Sequence, residues 1–187
     1  IFSPSGHLIA SGSADRTVRL WDTSSGRPLS TFNGHVDRVT SLSFSPDGKR
    51  LISGSWDTTV RQWDVSSARP LFTFLGHSNR VDAVRYGPDG GIFACAGGEW
   101  DGTASESRVR VCDAETGAIR RSFEQRTGKV ASLAFSPDGS SLIFSGNLGA
   151  LTCVDLATAV RRELHAHDAA VSSVAFSPDG RIAMSAS

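Results

Sequence analysis

The chain has 187 residues, 39% hydrophobic and 20% charged, a composition that can build a globular core and lies far from that of disordered chains. Its 19 Lys and Arg balance 19 Asp and Glu, so no net field draws in nucleic acid or anionic lipid. No apolar run approaches the roughly 18 residues of a membrane helix, and the N-terminal Ile-Phe-Ser-Pro lacks the layout of a signal peptide. Three cysteines, Cys95, Cys112 and Cys153, cannot pair completely and fit no zinc spacing. The expectation is a soluble, cytoplasmic protein with reduced thiols, no membrane contact and no nucleic acid partner.

Along the chain one turn recurs: Phe2-Ser-Pro-Ser-Gly6, Phe44-Ser-Pro-Asp-Gly48, Tyr86-Gly-Pro-Asp-Gly90, Phe135-Ser-Pro-Asp-Gly139 and Phe176-Ser-Pro-Asp-Gly180, with the aromatic residues 42, 42, 49 and 41 apart. A period near 42, with one insertion of about seven residues, fits one four-stranded propeller blade. The units run over 1–33 (partial), 34–75, 76–124, 125–164 and 165–187 (partial). In the second unit, Arg38–Phe44 alternates apolar and small polar residues, and Pro46-Asp47-Gly48 supplies a hairpin turn. Arg50–Ser55 is the next strand, Trp56-Asp57-Thr58 a turn, Thr59–Asp64 the third strand and Pro70–Phe74 the fourth. No stretch shows helical periodicity. In the third unit the insertion falls within Gly97–Ser107, which reads as an enlarged turn; it lacks the Gly-Lys-Ser/Thr and the helix that a phosphate loop needs.

The repeat carries positions for a His, a Ser, an Asp and a Trp at fixed offsets from its aromatic residue, filled completely in the second unit. The set is Ser11, Asp15 and Trp21 in the first unit and His35, Ser53, Asp57 and Trp63 in the second. A His, a Ser and an Asp invite a hydrolase triad, but a catalytic set should occur once, and this one recurs. Mutual satisfaction of buried polar groups is the competing account. The third unit keeps His77 but has Cys95 and Cys112 at the Ser and Trp positions, so its network is expected to be broken. The fourth replaces all members together, with Arg126, Phe144, Leu148 and Val154, which avoids an orphaned polar group. The fifth has His167 and Ser185. Cys95 and Cys112 read as buried small hydrophobes, and His165 and His167 alternate along an extended segment, which spoils them as paired ligands. No catalytic, cofactor or metal site is expected.

The pairs Trp21-Asp22 and Trp63-Asp64, with Gly34-His35 and Gly76-His77 upstream, closely resemble the WD-repeat β-propeller family over essentially the whole chain. The resemblance implies an all-β fold of four-stranded antiparallel blades, here three whole and two partial ones, a propeller fragment. It assigns His35, Ser53, Asp57, Trp63, Ser11, Asp15, Trp21 and His77 to a structural network in which Asp meets His, His meets Ser, and Ser meets the indole. It also implies a rigid platform for proteins or peptides. The anchors would stand on the face bearing the inter-blade loops: Trp56, Arg38 and Arg80 first, with Asp37, Asn79, Lys129 and Trp100 beside them, and Asp168 in the fifth unit. Trp56 is expected as an exposed indole, which needs a lid or a partner. The even, repetitive units are also similar to tandem arrays in fungal signalling proteins with a nucleotide-binding domain; a ligand-sensing segment of such an NTPase is the alternative reading, and a hydrolase the remote one. Open blade edges predict self-association.

Overall fold

The computed structural model describes residues 1–98, 107–125, 129–146 and 149–187, and among them every regular element is a β-strand. β1 (Leu8–Gly12), β2 (Val18–Asp22) and β3 (Pro28–Phe32) form a three-stranded sheet, with Phe2 bridged to Ile9 at the free edge of β1. β4 (Val39–Phe44), β5 (Arg50–Ser55), β6 (Val60–Asp64) and β7 (Pro70–Phe74) make the second sheet. β8 (Val81–Tyr86), β9 (Ile92–Gly97), β10 (Ser107–Asp113) and β11 (Ile119–Gln125) make the third. The fourth holds β12 (Leu133–Phe135), β13 (Ser141–Ser145), β14 (Ala150–Asp155) and β15 (Arg161–His165), and β16 (Ser173–Phe176) with β17 (Ala183–Ala186) make the last. Every pairing is antiparallel between chain neighbours. These are propeller blades, three of four strands and two partial, and the sheets do not close into a ring.

The turns follow from their residues. In each Ser-Pro-Asp-Gly hairpin the carboxylate turns back on the chain: Asp47 Oδ1 accepts the Ser45 hydroxyl at 2.6 Å and the Lys49 N–H at 3.0 Å. The closing glycine is needed twice over. Gly90, Gly139 and Gly180 have φ of +74°, +72° and +71°, and a Cβ there would come within 3.2, 3.2 and 3.3 Å of Pro46, Pro88 and Pro137 of the preceding unit. One blade's proline thus lies against the next blade's glycine, which locks neighbouring hairpins at this end of the array.

Strand side chains alternate between two faces, and both faces of an inner blade are buried. In β5, Leu51 enters the core shared with the first sheet, while Ile52 enters the core shared with the third. In β9, Phe93 and Cys95 face the second sheet, and Ala94 and Ala96 face the fourth. Ile143 of β13 turns to Val171 and Val174 beside the last sheet. Among the described residues, four separate cores therefore lie between five blades. The outermost strands see water: β15 is exposed along its whole length.

Candidate functional site

His35 follows β3 and reaches over to the second blade. Its Nδ1 lies 2.7 Å from Asp57 Oδ2 and its Nε2 lies 2.7 Å from the Ser53 hydroxyl, which also accepts the Trp63 indole N–H at 2.8 Å. With the indole as an obligate donor, the chain of bonds runs Trp63 to Ser53 to His35 to Asp57. The Asp57 carboxylate further accepts the Val36 N–H, the Thr59 N–H and the Thr59 hydroxyl. Burial works to raise the Asp57 pKa, but the Thr59 hydroxyl, His35 and the Val36 and Thr59 amides together hold it below the usual carboxylate value. Burial depresses the His35 pKa despite Asp57, which favours the neutral imidazole. Ser53 is fully buried; its oxygen accepts the indole N–H and its proton is donated to His35 Nε2, so neither faces a cleft. This leaves the hydroxyl no approach to a substrate.

The other units vary the theme. Trp21 donates to Ser11 at 2.9 Å, while Asp15 is exposed and bonds Thr17 and Arg19. His167 Nε2 lies 2.8 Å from the Ser185 hydroxyl. In the fourth unit Phe144 and Val154 are fully buried in one apolar core, and Arg126 and Leu148 lie outside the described residues. The third unit corrects an expectation: its network is rewired, not broken. Arg110 Nη1 donates to His77 Nδ1 at 2.8 Å, which leaves the Nε2 proton to face Cys95 Sγ at 3.0 Å. A guanidinium can only donate, so His77 is the tautomer opposite to His35. Burial, reinforced by Arg110, pushes its pKa down to about 3. Cys95 and Cys112 are free and buried, and burial with the neighbouring Cys112 pushes the Cys95 thiol well up, away from a reactive thiolate.

Trp56 sits in the turn between β5 and β6, where its N–H bonds Arg38 O at 3.0 Å and the adjacent Ser55 hydroxyl bonds Asp37 O at 3.0 Å. These bonds tie the turn to the loop before β4. The indole is half-buried rather than exposed, because two guanidiniums cover it: Arg38 Cζ lies 4.1 Å and Arg80 Cζ 4.9 Å from the ring centroid. Arg80 Nε in turn lies 3.4 Å from Asp82 Oδ2, and Lys129 Nζ lies 3.6 Å from Asp82 Oδ1. Burial raises the Asp82 pKa, opposed by Lys129 and Arg80. Three blades thus meet in one cluster: Arg38 and Trp56 from the second, Arg80 and Asp82 from the third, and Lys129 from the fourth. Asp37 is exposed and Asn79 half-buried on the same loops, and Asp168 is exposed farther along. Trp100 lies outside the described residues.

Asp82 is the member that sequence reading missed. It stands where the second unit has Thr40, whose hydroxyl bonds Val81 O of the next blade at 2.6 Å. A charged residue replacing a neutral tie at one repeat position was the available signal. Among the described residues no group of three or more His, Cys, Asp or Glu is arranged to hold a metal, and no helix is long and apolar enough to cross a membrane.

A family model described as "WD domain, G-beta repeat" matches residues 1–22, 26–64, 68–105, 117–155 and 158–187. Among curated proteins, the chain is similar to a probable serine/threonine-protein kinase PkwA of Thermomonospora curvata, 50% identical over 38 residues, or 20% of this chain and 5% of that one. It is similar to the nuclear distribution protein PAC1 of Mycosarcoma maydis, 45% identical over 42 residues, covering 22% and 9%. It is also similar to the U5 small nuclear ribonucleoprotein 40 kDa protein of Pongo abelii, 46% identical over 43 residues, covering 23% and 12%. Each likeness covers about one repeat and a small share of the relative.

Proposed function

The chain belongs to the WD-repeat family, and on that premise we propose that it is a non-catalytic platform that binds protein or peptide partners on the face carrying the inter-blade loops. WD repeats generally mediate protein–protein interaction. One observation supports the choice of face: Arg38, Trp56 and Arg80, from loops of two blades, converge into one half-open cluster. Trp and Arg are the residue types that dominate interface hot spots, and a preset arrangement lowers the entropic cost of binding. The partial recurrence of the set, as Ser11, Asp15 and Trp21 in the first unit and His167 and Ser185 in the fifth, and the enclosure of Ser53, weigh against hydrolysis.

The test compares partner affinity for the Trp56→Ala and Lys49→Ala chains. Lys49 is exposed on the hairpin at the opposite end of β5. Truncating a hot spot costs about 2 kcal/mol, roughly thirtyfold in affinity. A partner isolated on the wild-type chain should lose about that factor with Trp56→Ala and nothing with Lys49→Ala, with thermal midpoints nearly unchanged. A loss confined to Lys49→Ala would move the binding face to the other end of the blades.

A further inference from the structure

Arg38, Arg80 and Lys129 occupy one repeat position. Each immediately precedes the buried valine that leads into the first strand of its blade, Val39, Val81 or Val130. Three consecutive blades therefore present a cation at the same end and in the same place, a row set by the repeat itself. Two carboxylates of this region, Asp57 and Asp82, are more deeply buried than that row. The side chains of Asp57 and Asp82 are 2% and 3% exposed, against 21% for Arg80 and 32% for Lys129. Arg38 is exposed. Asp37 is the exposed acid on the flank, with its Oδ1 turned back to the Arg38 N–H at 2.7 Å. A molecule laid across the row meets guanidinium and ammonium groups before it meets a buried acid.

Trp56 narrows the choice of partner. Its ring already carries two guanidiniums of its own chain, so a partner's Lys or Arg would have to displace them to reach the indole. The same stacking holds the planar donors in place, which favours bidentate capture of a carboxylate. The balanced charge of the whole chain argues against a polynucleotide, which needs an extended basic footprint. Resting on the platform reading above, we propose that the partner offers an extended acidic polypeptide segment, whose Asp or Glu carboxylates are gripped by Arg38, Arg80 and Lys129 across three blades.

Fluorescence anisotropy with labelled octaglutamate, octalysine and oligodeoxythymidylate probes tests this on the 187-residue chain. Octaglutamate should bind, and the Arg38→Gln/Arg80→Gln double variant should weaken it at least roughly tenfold, since each substitution removes a charged hydrogen-bond donor. Asp82→Asn should tighten it, because the row then loses its compensating charge, whereas a merely structural role for Asp82 predicts no gain. This opposite sign keeps the test valid even if the double variant unfolds. Lys49→Ala should change nothing. Absent octaglutamate binding, or binding indifferent to the arginines and to Asp82, would overturn the acidic partner, while a Trp56-dependent protein partner would leave the platform reading standing. Tighter, arginine-dependent binding of the oligodeoxythymidylate would overturn it in favour of nucleic acid. If Trp56→Ala instead leaves every isolated partner at full strength, the platform reading is the one that fails.

Discussion

Asp57 has every hydrogen-bonding direction occupied, by a ring N–H, two amides and a hydroxyl, and its side chain is only 2% exposed. Asp57→Ala would leave the buried His35 ring and the Thr59 amide without their acceptor, while water can replace it at the exposed Val36 amide, a loss of about 1–3 kcal/mol. Chemical denaturation should register that loss, with esterase turnover at background in both chains; unchanged stability with a lost hydrolytic activity would reverse the assignment. His77 has the opposite electrostatic dependence to a salt-bridged histidine. Its pKa is about 3 when folded against an ordinary 6.5, so between those values the unfolded chain holds the extra proton and stability rises with pH. The contribution is complete above pH 6.5 and declines by about 1.4 kcal/mol per unit as pH falls below it. His35, also depressed, adds in the same direction. The turn carboxylates Asp22 and Asp64, held near 2 by the hydroxyls and amides of their turns, affect stability only at more acid pH. Urea midpoints at about pH 7.5, 6 and 5 should fall progressively in the wild type and less steeply in His77→Gln; equal slopes would remove His77 as the cause.

Strand β4 is joined to β8 of the next blade by its hydroxyls. Ser41 Oγ accepts the Val84 N–H at 3.1 Å, Ser43 Oγ accepts the Tyr86 N–H at 3.0 Å, and Thr40 donates to Val81 O. Ser132 repeats the contact to Val174 at 3.1 Å. In β8 the equivalent positions hold Ala83 and Arg85, and the half-buried Arg85 donates back to Leu42 O at 3.3 Å. The Ser41→Ala/Ser43→Ala double variant should lose about 1–3 kcal/mol per stranded amide, with faster hydrogen exchange at Val84 and Tyr86. Exchange unchanged at those two amides would show that the backbone finds other partners. The strands themselves were legible because turn chemistry brackets them: β5 and β7 have the expected limits, and β4 and β6 start one residue late. The hydroxyl ties were not legible, because an alternating Ser in a strand reads as a solvated face until a second blade covers it.

Across the whole molecule, each blade rests on its neighbours and the end sheets have only one such neighbour. The first sheet leaves Phe2 65% exposed, and the last leaves Ile182 and Met184 58% and 56% exposed beside a two-stranded ladder. Unpaired strand edges flanked by apolar side chains template further pairing. The 187-residue chain should therefore self-associate, with a weight-average mass by light scattering that rises with concentration. A monomeric mass at every concentration would show those edges to be covered within one chain.

The blade period, the strands of the second unit to within one residue and the His35, Ser53, Asp57 and Trp63 positions were legible in the sequence, because each rests on local turn chemistry or on spacing within the repeat. Which polar groups actually meet did not. His77 takes the reverse tautomer because Arg110 of β10 reaches its ring, and Trp56 is covered because Arg80 crosses from the third blade. Asp82 joins the cluster because Lys129 lies above it in the fourth. Each of these contacts spans distant positions in the chain: the His77–Arg110 contact exists only once the strands of the third unit are assembled, and the other two only once the blades stack, when burial makes an unpaired charge costly and so selects the partner within reach.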